Sequence, residues 1–133
     1  MKSRAYIIIG GISALLLFAS CGQQYHAEKT VEAFVEANME NPDKITDRDF
    51  ADIGTTRHLN DSLIGVMRQR GAELFKKSIT YGQIPEGDLF YLRMRYVHEG
   101  DTMQNTFYLN QELTEVVAFK KKKKKKLVKN LQD

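Results

Sequence analysis

The ten residues from Leu89 to His98 alternate between apolar and polar, and a period of two obliges this stretch to form a strand with one dry face and one wet face. Phe90, Leu92, Met94 and Tyr96 fall on the dry side, and Tyr91, Arg93 and Arg95 on the other. Glu99-Gly100-Asp101 follows as a hairpin turn, which sends Thr102 to Leu109 back with Met103, Phe107 and Leu109 on one side. Asn110-Gln-Glu112 turns the chain again into Leu113 to Lys120, rich in Val116, Val117 and Phe119. Upstream, Phe75, Ile79 and Tyr81 alternate with Lys76, Ser78 and Thr80, so a further strand is expected from Leu74 before a turn region from Gly82 to Gly87.

Before Leu74 the period is helical. Ala27, Val31, Phe34, Val35 and Met39 form one apolar stripe that Asn41-Pro42 ends. Glu28, Glu32, Glu36 and Glu40 repeat every four residues on the far side, a row that suits a solvated helix face and not the converging carboxylates of a calcium loop. Thr46-Asp-Arg-Asp49 has the spacing of a helix N-terminal box, which predicts a short helix to about Ile53, followed by a loop over Gly54 to His58. Asn60 or Asp61 caps another helix with Leu63, Val66, Met67 and Arg70 at helical spacing and Gly71 near its end. Gly65 within it is expected to mark a close approach to another element. These elements predict an α+β fold with N-terminal helices packed on a curved antiparallel sheet of about four strands. Over residues 27–120 this order resembles the nuclear-transport-factor-2-like and cystatin-like folds. That resemblance implies either a pure binding domain or a small-molecule enzyme of the isomerase or dehydratase type, in which Asp52, Tyr96 and His98 are the residue types that would move protons.

The chain begins with Lys2 and Arg4, an apolar run from Ala5 to Ala19, and small residues up to Cys21, the only cysteine. That run is shorter than the roughly 20 residues needed to span a bilayer, and it has the layout of an export signal. Leu17-Phe18-Ala19-Ser20-Cys21-Gly22 resembles the lipobox of bacterial lipoproteins, with Phe18 where Leu is usual. The resemblance implies cleavage after residue 20 and acylation of Cys21, with two or three chains each contributing about 0.8 kcal/mol per buried methylene. It also implies a cell-envelope location; Gly22 and Gln23 lack the aspartate of inner-membrane retention, which favours the outer membrane facing the periplasm. An acylated Cys21 leaves the mature chain without a thiol, and so without a disulfide, a thiolate metal site or a cysteine nucleophile. Residues 21–26 then read as a lipidated polar tether, 27–119 as the globular domain, and 120–133 as a basic tail.

A formal charge of +3 averages segments of opposite sign. Residues 21–119 hold ten basic and sixteen acidic side chains, net −6, whereas the tail from Lys120 onward holds eight lysines and one aspartate. The overall basic balance is therefore no argument for nucleic-acid binding. Lys120, Lys121, Lys122, Lys123, Lys124, Lys125 and Lys126 form an unbroken run that repels itself. It serves either as a solubilising extension or as a contact to an anionic envelope surface, which the lipid would bring within reach.

His26, His58 and His98 match no metal-ligand spacing, and no cofactor motif is present in the sequence. The most chemically suggestive set is Tyr91, Arg93 and Arg95, since arginine presents a planar fork suited to carboxylate or phosphate. The same alternation is also what an ordinary solvent-facing sheet surface shows. The expected function is a lipid-anchored envelope protein with a binding or scaffolding domain. Its alternatives are an enzyme with an acid or base inside the fold, and an envelope tether that uses the lysines.

Overall fold

A computed structural model describes residues 22–57 and 59–122. Cys21 and the leader, His58, and Lys123, Lys124, Lys125 and Lys126 lie outside the described residues. Residues 22–38 are helical (α1). A 3-10 turn at Pro42–Lys44 leads into strands β1 (Ile45–Phe50) and β2 (Gly54–Thr56), then helix α2 (Asp61–Arg70). Strands β3 (Leu89–His98), β4 (Asp101–Leu109) and β5 (Val116–Lys121) complete the domain. The fold is α+β, with an open, curved, wholly antiparallel sheet in the order β1-β3-β4-β5 and with β2 also paired to β3.

β3 occupies the residues that its alternation marks out. Its turn is tight because Glu99 and Gly100 both take positive φ, 50° and 84°, as a primed two-residue hairpin requires. β1 and β2 run consecutively along the same edge of β3, so they are one interrupted edge strand. The expected helix at Thr46 to Ile53 is therefore corrected to a strand, and the expected loop after it contains β2. Asp47 explains why the box motif does not act as a cap: it sits at φ 54° inside a bulge between Thr46 and Asp49, a conformation Asp tolerates better than most residues. In the gap between β1 and β2, Gln24 of α1 substitutes for the missing ladder partner. Its side chain accepts from Ile53 N at 2.8 Å and donates to Ala51 O at 3.0 Å. Residues 22–26, read as a tether, are thus helical and docked on the sheet edge.

The helices lie on opposite faces of the sheet, not together on one. α1 places Ala27, Val31, Phe34 and Val35, and Met39 just after it, against Leu92, Met94, Tyr96, Phe107, Leu109 and Phe119. Ile64 of α2 instead packs with Leu89, Tyr108, Val117 and Ala118 on the other side. The stripe expected on α2 is rotated accordingly: Ile64 is the buried position, Met67 half-buried, and Leu63 and Val66 are 46% and 42% exposed. Asn60 caps α2 by accepting from Leu63 N, and Gly71 closes it at φ 60°.

The strand expected at residues 74–81 is instead an irregular segment. Its one pairing is a bridge between Met39 and Phe75, yet Phe75, Ile79 and Tyr81 still point into the main core. There, Phe34, Phe75, Tyr81, Phe107 and Phe119 form a ring cluster in which Phe75 and Phe119 centroids approach to 4.4 Å. Arg68 ties this segment to β5, donating to Val117 O at 2.9 Å and to Gly82 O at 2.6 Å, with its guanidinium 5.0 Å from the Tyr81 ring centroid. The Val117 carbonyl is free for this because β5 carries an irregularity opposite Tyr108 and Leu109.

Gly65 approaches no other element, because a Cβ built there meets nothing within 4 Å. Gly65→Ala is therefore expected to stabilise the domain by up to about 1 kcal/mol through helix propensity alone. Equilibrium urea unfolding checks this, and a destabilised variant would contradict the open space.

Candidate functional site

Strand alternation carries Tyr91, Arg93 and Arg95 to the face opposite α1, and the register sets three cross-strand rows there. Tyr91 lies beside Gly54 and Tyr108, with Ala118 beyond; Arg93 beside Thr106, with Lys120 beyond; and Arg95 between Asp49 and Gln104. Lys122 joins the third row, its backbone N–H donating to Gln104 O at 3.0 Å. Successive rows are about 7 Å apart, from two residues at roughly 3.3 Å each. α2 covers one side of this face and leaves a groove beside it.

Two adjoining cavities make up the groove and share Arg93, Thr106 and Lys120. One, of about 1030 Å³, is walled by Met67, Arg70, Gly71, Gln104, Lys121 and Lys122. The other, of about 460 Å³, is walled by Thr55, Thr56, Arg57, Tyr91 and Tyr108. Among the described residues, neither wall carries an Asp or Glu. Six basic residues line the groove: Arg57, Arg70, Arg93, Lys120, Lys121 and Lys122. At the two ends, Arg57 pairs with Asp88 at 3.5 Å and Lys121 with Glu73 at 4.0 Å. Arg70, Arg93, Lys120 and Lys122 make no ion pair among the described residues.

The floor is shaped by aromatic rings. A Cβ at Gly54 would come within 2.5 Å of the Tyr91 ring, so it is the glycine that lets this ring lie flat across the neighbouring strand. Arg93 sits 5.5 Å from the Tyr91 centroid, and Lys120 Nζ 6.0 Å from that of Tyr108. Those contacts hold the two cations over the sheet without neutralising them. The arrangement can bind anions and present hydroxyls beside them. Among the described residues no group of three or more His, Cys, Asp or Glu could hold a metal ion.

The structure brings Tyr91 and Arg93 together with Lys120, Lys121 and Lys122, two sets that the sequence offers separately. Arg95 shares their face and the third row with Gln104 but does not itself line the groove, and Asp49 lies opposite it. Arg57, Arg70 and Thr106 are groove residues that sequence reasoning did not single out. A usable signal existed: Phe107-Tyr-Leu109 and Val116-Val-Ala-Phe119 are continuous apolar runs, which mark burial on both faces and hence a second covering layer.

Asp52, Tyr96 and His98 are not brought together. Asp52 is exposed in the break between β1 and β2, and His98 ends β3 opposite Ile45 and Asp101. Tyr96 is buried in the main core, donating to Asn105 Oδ1 at 2.5 Å, and burial pushes its phenol up to about 12. Tyr81 shifts upward too, by burial, with Arg68 pulling it partly back. Because the folded pKa of Tyr96 lies above the ordinary phenol value of about 10, its contribution is complete below pH 10 and is lost as pH rises towards 12. Stability is expected to fall by about 1.4 kcal/mol per pH unit in that window from this residue. Unfolding titrations of the protein and of Tyr96→Phe, whose slope should be shallower, test the assignment.

No protein-family model matches this chain, and neither does any curated protein or solved structure at the significance required.

Proposed function

We propose that this chain is a lipid-anchored protein of the bacterial cell envelope whose domain binds an anionic ligand on the outer face of its sheet. One observation carries the binding reading: a segment that is acidic on balance, net −3 over residues 21–122, keeps a groove lined by six basic residues and, among the described residues, by no acidic one. Arg70, Arg93, Lys120 and Lys122, the four without an ion pair among the described residues, repel each other in one cleft, and an anion relieves that repulsion. Location rests on the leader and on Cys21, whose lipobox-like context supports acylation and an outer-membrane, periplasm-facing site.

An enzyme working inside the sheet is the less supported alternative. The space between α1 and the sheet is packed with Phe34, Phe75, Tyr81, Phe107 and Phe119. The tether reading merges with the binding one, since Lys120 and Lys122 line the groove.

Two measurements test the proposal. Cys21→Ser should abolish incorporation of labelled acyl chains and release the protein from membranes, and unchanged membrane retention would refute the anchor. Binding of heparin, as a generic polyanion, should weaken steeply with added salt. Salt-independent binding, or none, would refute the anionic site.

A further inference from the structure

Resting on that reading of the groove, we infer that its ligand is a linear anionic glycan, with acidic groups repeating along the chain, lying across the three cross-strand rows. The reason is the layout of the cations. Arg93 and Lys120 share one row, and Lys122 sits in the next, about 7 Å along the strands. From the Tyr91 row to the third row is about 13 Å, longer than a single carboxylate or phosphate needs. A compact anion would satisfy one row and leave the other unpaired. A chain with repeated charges satisfies both.

Shape separates this ligand from a bilayer. The groove floor is sheet, α2 rises along one side, and the shared residue Thr106 is largely buried between Arg93 and Lys120. A strand of polymer reaches such a floor, and a flat headgroup surface does not. Chemistry separates it from single-stranded nucleic acid, which binds by stacking bases on open aromatic faces. Here Arg93 and Lys120 already stand over the two tyrosine rings. The other polar groups on the walls, such as Thr55 and Gln104, suit the hydroxyls of sugars.

The test uses the full mature chain in detergent and four probes: galacturonate, an oligogalacturonate longer than the groove, oligothymidylate of equal charge, and phosphatidylglycerol vesicles. The oligogalacturonate should bind at least about tenfold more tightly than the monomer per acidic group, and Arg93→Ala and Lys120→Ala should each remove most of that gain. Replacing Lys123 to Lys126 with glutamine should retain it. Equal affinity for monomer and oligomer would overturn the inference while leaving an anion site intact. So would tighter binding of oligothymidylate or of vesicles, or a length dependence that disappears with the glutamine variant alone. Absence of binding to every probe would overturn the underlying site as well.

Discussion

Phe119→Ala is expected to cost about 3–5 kcal/mol, the range for deleting a buried aromatic ring. Phe119 is 1% exposed and contacts the rings of Phe34, Phe75, Tyr81 and Phe107, so few neighbours can collapse into the space. It also links α1, through Phe34, and the irregular segment, through Phe75 and Tyr81, to the sheet, where its cross-strand partner is Phe107 of β4. Domains of this size hold only about 5–15 kcal/mol in total, and one without disulfides has no covalent reserve. The variant should lose most of its unfolding cooperativity or fail to fold, whereas Phe119→Leu should lose less and remain folded. Urea unfolding followed by far-ultraviolet circular dichroism distinguishes them. A loss below about 1 kcal/mol for the alanine variant would mean that the ring cluster is not the keystone of the core.

Charge reversal in the groove should have the opposite profile, a large effect on binding and a small one on stability. Lys120→Glu puts a carboxylate about 10 Å from Arg93 across Thr106, two strand spacings away, where it can answer that cation as an anion would. The position is exposed, so the fold should change by no more than about 0.5 kcal/mol. Heparin affinity, by contrast, should fall by at least about tenfold at low salt, and the salt dependence should become shallower because fewer counterions are released. Isothermal titration at several salt concentrations reads both. Lys76→Glu, on the irregular segment, is the control for net charge, and it should alter binding far less.

How legible these features are in the sequence depends on where the physics is local. β3, its hairpin and the returning β4 are readable because alternation and turn chemistry are local properties of Leu89 to Leu109. The face carrying Tyr91, Arg93 and Arg95 follows from the same alternation. At Thr46 to Asp49 the local pattern suggests a helix, but pairing of Ile45 to Phe50 with β3 overrides it, and the strand absorbs the extra residue as a bulge at Asp47. The segment from Leu74 to Tyr81 misleads in the reverse sense. Its alternation reflects side chains dropping into the core from an irregular backbone, with no strand alongside to form a ladder. The groove could not be read from sequence, because it arises from α2 crossing to the outer face and from the register that sets Lys120 across from Arg93. Both are long-range consequences of the sheet.

The proposed groove puts bound anions on the outer face of the sheet and not inside the fold or on the lysine run alone. Amide chemical-shift mapping during titration of the full mature chain with oligogalacturonate locates the bound anion residue by residue. Shifts are expected to concentrate at Tyr91, Arg93, Thr106 and Lys120, with Val31, Phe34 and Tyr96 on the α1 side unmoved. Shifts confined to residues 123–133, or centred on the core beneath α1, would contradict it.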